Sequence, residues 1–252
     1  MSISALIIAR NEQSKIKACL KSIQFVDEIV VVLDRSSDDT KKIAKNTNAR
    51  IFSGEWEFEG DRRNFGINKC KGDWILEIDA DERVGKKLKN EIIDKSKNHK
   101  FDFHYIKLLN FVGNNPVQNG WMSCLAPDGK FLFFKKGAKV WKNQRVHPDY
   151  NLSGNKGCEF KNHLDHKMSD DISELLLRFD RNTELKSLDL ITNNEAYKKN
   201  FSIRKMFSRF LKSFFARKGY KEGLLGLLIS ILNAIYPIVV GIKADFKKDR
   251  FH

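Results

Sequence analysis

Cysteine is scarce in this 252-residue chain, and the four present (Cys19, Cys70, Cys124, Cys158) form no Cys-x-x-Cys pair and meet no matching histidine cluster. That pattern argues against a zinc site and against a disulfide scaffold. Neither a Gly-x-Gly-x-x-Gly turn nor a Walker lysine loop occurs, which disfavours a dinucleotide cofactor and P-loop nucleotide hydrolysis. Internal repeats and low-complexity linkers are missing as well. The N-terminus enters an apolar strand, Ile3 to Ala9, without a basic region or a cleavage site, so no signal peptide is expected and a reducing, cytoplasmic setting follows. Acidic residues are outnumbered: 32 Asp+Glu stand against 46 Lys+Arg, a formal charge of +14 that calls for a polyanionic partner or surface. With 41% hydrophobic residues, the chain can still bury the core of one large α/β domain plus an appendage.

What is present is an alternation of strand and helix signals. Ser2 to Ala9 reads as a strand, and Ile16, Cys19, Leu20 and Ile23 recur at the spacing of an amphipathic helix. Ile29 to Leu33 is the continuous aliphatic run of a parallel strand covered on both faces, and it ends at Asp34. Ser36-Ser37-Asp38-Asp39-Thr40 supplies N-cap residue types ahead of a short helix through Ala44. Ile51 and Phe52 make a third strand, and Asp61 is the expected cap of a helix carrying Arg62, Arg63, Asn64, Ile67 and Cys70. A fourth strand, Trp74, Ile75, Leu76 and Ile78, ends abruptly in Asp79, Asp81 and Glu82. Four strands with three crossovers imply a doubly wound, mainly parallel sheet, and ligands bind outside the carboxyl ends of such strands.

The polar residues Ala9-Arg10-Asn11-Glu12, Asp34, Asp79 and Asp81 all fall at those ends. Side chains alternate along a strand, so Asp79 and Asp81 project to one side with Ala80 opposite. Two such carboxylates repel unless something positive lies between them, and a divalent Mg2+ or Mn2+ with places left for phosphates is the natural partner. A bare Asp-x-Asp also recurs as a solvated acidic turn; the agreement of the strand ends favours a site. Arg62 and Arg63 either approach the phosphates or, as is common for basic residues on a helix, are simply solvated.

Taken as a set, Ala9-Arg10-Asn11-Glu12, Val26-Asp27-Glu28-Ile29-Val30-Val31 with Asp34, Ser37-Asp38-Asp39-Thr40, Arg63-Asn64, and Gly72-Asp73-Trp74-Ile75-Leu76 with Asp79-Ala80-Asp81-Glu82 resemble the family-two glycosyltransferases, which have a GT-A fold. Gly120-Trp121, Trp141 and Val146-His147 add a looser similarity to the branch of lipopolysaccharide inner-core glucosyltransferases. The resemblance implies a nucleotide-sugar site at Ala9, Asn11, Glu12, Asp34, Arg63 and Asp79, with a divalent metal (Mg2+ or Mn2+) held by Asp79 and Asp81. A UDP-sugar is the expected donor. Two departures stand out: Arg35 and Asp39 occupy a loop where relatives often carry glycines, and His147-Pro148-Asp149 replaces a usual His-Glu.

Inverting transfer to a hydroxyl also needs a base, and the candidates are Asp149 first and His147 second, following a segment, Phe131 to Trp141, expected on the far side of the acceptor pocket. The alternative for Pro148-Asp149 is an ordinary turn. His163 and His166 straddle Asp165 and are read as loop or packing residues.

The tail changes character from Phe201. Residues 200–252 hold eleven Lys+Arg against three Asp+Glu, which is +8 of the +14. Ile203, Met206, Phe207, Phe210, Leu211, Phe214 and Phe215 follow a helical stripe beside Arg204, Lys205, Arg209 and Lys212, the pattern of a helix in a membrane interface or of one capping a core. Gly223 to Ile242 carries no charge and is long enough to span a bilayer. Asn233, Pro237 and basic flanks on both sides favour a re-entrant or interfacial hairpin. Anionic lipid, not nucleic acid, is the expected polyanion.

The expected organisation is a GT-A transferase domain over 1–165, with 1–95 binding the nucleotide sugar and 96–165 the acceptor, then a helical membrane-associating extension over 166–252. The expected activity is metal-dependent inverting transfer from a nucleotide sugar to a lipid-linked saccharide at the inner face of a bacterial inner membrane, as in lipopolysaccharide core synthesis. A polyprenyl-phosphate sugar synthase is the alternative enzyme, and a basic membrane-binding protein with a degenerate site the non-enzyme alternative.

Overall fold

The computed structural model describes residues 1–193 and 202–248. Phe201, where the sequence places the start of the basic tail, lies outside them. The described residues form two compact units. Residues 1–109, 129–144 and 148–167 make the first, and 110–128, 145–147 and 168 onward the second. Segments 110–128 and 145–147, inside the expected 1–165 domain, thus group with the C-terminal helices.

In the first unit, β1 (Ile3–Ala9), β2 (Glu28–Asp34), β3 (Arg50–Gly54) and β4 (Trp74–Asp79) are parallel in the order β3-β2-β1-β4. Helices α1 (Ile16–Ser22), α2 (Thr40–Lys45) and α3 (Glu59–Lys69) form the crossovers. Every residue of β1 is buried, and its side chains alternate as a pleated strand requires. Ile3, Ala5 and Ile7 join Ile16, Leu20 and Ile23 of the α1 region in one core, while Leu6 and Ile8 join Ile67 of α3 in another. A Cβ at Gly66 would stand 2.5 Å from Leu6 Cδ1, so the seat of α3 on the sheet depends on a residue without a side chain. Asp61 lies in the first turn of α3, not at its cap, because the helix already begins at Glu59.

Beyond β4 the sheet continues through antiparallel β8 (Gly129–Lys135), then β6 (Phe103–Val112), β11 (Leu164–Ser169) and β5 (Glu82–Arg83). Helix α4 (Lys86–Ser96) precedes β6, and β9 (Lys139–Trp141) pairs with β10 (Tyr150–Leu152) in a small second sheet. The segment expected along an acceptor pocket is therefore largely interior: Phe133 and Phe134 of β8 are fully buried, facing Leu76 and Ile75 in register. The order in which successive strands are added reverses between β1 and β4, which are themselves parallel, and that is the place where open α/β sheets leave a crevice.

The second unit contains β7 (Asn115–Val117), α5 (Ile172–Thr192), α6 (Ile203–Leu211), a π turn at 212–216 and α7 (Gly223–Lys248). Val117, Trp121 and Leu125 pack with Ile229, Leu232 and Tyr236 in its core. The expected hairpin within 223–242 does not form: α7 is one continuous helix with Pro237 inside it. Proline lacks an N–H and orphans the carbonyl four residues earlier. Here Arg209 Nε donates to that Asn233 carbonyl at 2.8 Å, so the helix runs on.

Candidate active site

The end of β4 is a ladder of alternating charges. Arg63, buried on α3, donates to Glu77 Oε1 at 2.8 Å and Asp79 Oδ1 at 3.0 Å, and also pairs with Glu59 at 2.7 Å. Lys130 of β8 donates to Asp79 Oδ2 at 3.1 Å and lies 3.6 Å from Glu82 Oε1. Fully buried Glu77 accepts Lys139 Nζ at 2.8 Å and Trp141 Nε1 at 3.2 Å. Both oxygens of Asp79 are thus held by protein cations. Burial works against the charged carboxylate and so does Asp81, yet Arg63 and Lys130 outweigh them and keep Asp79 well below the usual carboxylate range. Glu82 goes the other way: burial, with help from the Asp79 charge, pushes it up to about 7 against the pull of Lys130. Its Oε2 accepts the Asp79 backbone N–H at 2.8 Å. Asp81, also buried, has Oδ2 3.5 Å from His166 Nε2 of β11.

The loops after β1 and β2 are stitched together. Asn11 sits at φ +55°, a left-handed conformation that asparagine tolerates, and its Oδ1 accepts Ser37 N–H at 2.9 Å. The Glu12 N–H donates to Thr40 Oγ1 at 2.8 Å, and the Gln13 N–H to Asp38 Oδ2 at 3.0 Å. Arg35, one of the two departures from the resembled pattern, takes φ +50°; its guanidinium is fastened to the Trp56 carbonyl and to Asp34 Oδ1, the latter at 3.0 Å. Buried Asp34 also accepts Arg62 at 2.9 Å and the Trp56 N–H at 3.2 Å. Neither Arg62 nor Arg63 is a merely solvated helix residue. Ala9 is buried at the end of β1, and Ile8 stands in register with Asp79.

A profile of Glycosyl transferase family 2 matches residues 4–147. The chain belongs to this family. An uncharacterized glycosyltransferase of Rickettsia bellii (strain RML369-C) is 30% identical over 248 residues, covering 92% of this transferase and 82% of the relative. The lipopolysaccharide core biosynthesis glycosyltransferase LpsC of Rhizobium meliloti (strain 1021) is 30% identical over 94 residues, 35% of each chain. Among solved structures, S. aureus TarS 1–349 in complex with UDP-GlcNAc superposes with a TM-score of 0.53 at 12% identity, covering 99% of this transferase and 92% of that chain. The likeness shows a shared fold, of the GT-A type expected from the motifs.

The structure gathers Asp34 with Arg62, and Arg63 with Asp79, along one edge of the transferase's sheet. It treats the two base candidates differently. Asp149 is exposed in the β9–β10 connection, where its backbone N–H donates to Gln144 Oε1 at 2.5 Å and its carbonyl accepts Lys142 N–H at 2.8 Å. His147 belongs to the second unit, is left-handed at φ +49°, and has Nε2 3.5 Å from Asn182 Nδ2. The sequence reading missed Lys130, Lys139, Glu77 and His166. His166, expected as a loop or packing residue, is not in a loop but is buried on β11 beside Asp81. One signal was available for the lysines: charged residues bracket the Phe131-Leu132-Phe133-Phe134 run, where buried ammonium groups need carboxylate partners.

Proposed function

We propose that this transferase moves a sugar with inversion from a UDP-sugar to a lipid-linked saccharide at the cytoplasmic face of a bacterial inner membrane, in lipopolysaccharide core or related envelope glycan synthesis. The observation that carries the reading is the charged cluster of Arg63, Asp79, Asp81, Lys130 and His166 at the carboxyl end of β4, beside the β1/β4 reversal. TarS binds UDP-GlcNAc on a related fold, and LpsC, similar over a third of this chain, is named for lipopolysaccharide core synthesis.

The donor atoms suit a hard divalent cation. Four carboxylates (Glu59, Glu77, Asp79, Glu82) meet three cationic side chains (Arg63, Lys130, Lys139), and a fifth, Asp81, lies 3.5 Å from the His166 imidazole, the two within reach of one ion. One or two protein ligands plus phosphate oxygens are enough for such an ion. Asp81 and His166 would hold it, and Asp79, already bound to Arg63 and Lys130, is assigned to the donor sugar. When bound, the ion supplies charge neutralisation for the leaving diphosphate. Asn11, Glu12 and Asp34 frame the base and ribose, Ala9 leaves room beside them, and the Arg63 and Lys130 charges are fixed in place before reaction, which lowers the reorganisation needed as negative charge grows. Asp149 is the preferred base for the acceptor hydroxyl, with His147 second.

The test is calorimetry and thermal shift with UDP, GDP and CMP sugars in Mn2+, Mg2+ or EDTA. One nucleotide should stabilise the protein with metal present. Asp81→Ala should weaken that binding by at least about tenfold, or 1.4 kcal/mol, and His166→Ala should weaken it in the same direction. Nucleotide binding indifferent to EDTA and to both substitutions would refute the metal assignment. Full transfer by Asp149→Ala would point to a phosphate acceptor, which needs no base.

A further inference from the structure

Helix α7, at 26 residues, is long and apolar enough to cross a bilayer. The geometry points to a different attachment: α7 is the partly buried central helix of the helical unit, bound along one side to its neighbours, and the chain meets an anionic lipid surface in-plane, through the outer row of α6 and the π turn after it. This deepens the membrane-facing part of the proposed function and rests on that reading.

Beside its apolar core contacts, α7 has polar or charged partners at several levels along its length. At mid-helix, Asn233 Nδ2 donates to the Gly120 carbonyl and to Ser213 Oγ, both at 3.0 Å, and Ser213 Oγ donates to Ser230 Oγ at 3.0 Å. Arg209 holds the Asn233 carbonyl at that level. Nearer the C-terminus Lys243 pairs with Asp180 of α5 at 2.6 Å, and Lys247 pairs with Glu184. A spanning α7 would either draw these partners into hydrocarbon, where ionised groups are strongly disfavoured, or strip the Asn233 side chain of its partners and leave Ser230 only the Gly226 carbonyl of its own helix.

Helix α6 has the opposite character, since none of its residues is buried. Ile203, Phe207, Leu211 and Phe215, four residues apart, are 61%, 58%, 51% and 57% exposed, while Met206, Phe210 and Phe214 are half-buried. Residues 203–221 hold seven Lys/Arg and no Asp/Glu. Two of the seven face inward, Arg209 to Asn233 and Arg217 to Asp128; Arg204, Lys205, Lys212, Lys218 and Lys221 are exposed. A row of large apolar side chains edged only by cations matches a surface with anionic headgroups over an apolar interior. Leu224, 85% exposed at the start of α7, adds to the apolar surface.

The experiment is co-sedimentation of the full chain with vesicles of phosphatidylcholine alone or mixed with phosphatidylglycerol, followed by alkaline carbonate extraction of cell membranes. The wild type should bind the anionic vesicles, ignore the neutral ones and be released by carbonate. Phe207→Glu with Phe215→Glu should lower partitioning by about tenfold or more, and charge reversal at Lys205 and Lys212 should do the same, with unfolding temperatures unchanged because these side chains are exposed. Carbonate resistance, or partitioning unaffected by either pair, would overturn the inference in favour of an inserted α7; failure to bind vesicles would overturn it in favour of a soluble protein. UDP-sugar binding measured without vesicles on the same proteins separates failure of the donor-site reading from failure of this one.

Discussion

Lys139 donates to Glu77 and to the Phe131 carbonyl, at 2.8 and 2.9 Å, from a fully buried side chain. Burial pushes its pKa down to about 8, with Glu77 pulling the other way. Because that lies below the ordinary 10.5, the unfolded chain binds more protons between about 8 and 10.5, and the folded state gains stability as pH rises through that window. The full gain is about 3 kcal/mol. Lys139→Met removes the titration, so the gap in urea-unfolding free energy between wild type and variant should be wider at pH 10 than at pH 7.5; equal gaps would mean Lys139 titrates normally. Asp79 and Asp81 were legible in the sequence because an apolar strand ends in them, a purely local pattern. Lys130, Lys139 and His166 were not. They arrive from β8, β9 and β11 through antiparallel pairings whose partner and register no local pattern specifies, and at Asp79 positive charge is supplied by Lys130 together with Arg63.

For α7, a stretch interrupted by Asn233 and Pro237 suggested a hairpin, and the element turned out continuous. The apolar periodicity of 203–215 was legible because it is local, whereas the repair of α7 comes from Arg209, 24 residues before the carbonyl it satisfies. That repair can be isolated. Arg209→Met should destabilise the protein by about 1–3 kcal/mol, the penalty for a buried carbonyl left without a donor. Pro237→Ala restores an N–H that can reach the same carbonyl, so the double variant should recover most of the loss, and the two changes should be strongly non-additive in a double-mutant cycle. Additive effects in chemical denaturation would show that Arg209 acts elsewhere, for instance through its 3.0 Å contact with Cys124 Sγ.

At the scale of the molecule, the chain crosses between the two units after Leu109, Asp128, Gln144, His147 and Lys167. Alternating strands and helices made the doubly wound sheet readable to the end of β4 at Asp79, and the basic, Phe-rich tail marked a second region. A boundary drawn where composition changes cannot show that 110–128 folds with helices a hundred residues later. Trp121 and Leu125 are buried against Ile229, Leu232 and Tyr236, and the Gln118 and Asn119 backbone N–H groups both donate to Glu222, at 3.1 and 3.0 Å. A chain ending at Lys167 keeps the whole β4 cluster but loses every one of those partners, leaving side chains whose burial is worth about 1.5–3 kcal/mol each in water and two peptide donors unpaired. Residues 1–167 expressed alone should therefore be recovered insoluble or without a cooperative melt, while the full chain melts cooperatively. A soluble 1–167 fragment that unfolds cooperatively and binds a UDP-sugar would show instead that the donor half stands alone and that the 110–128 segment needs no helical partner.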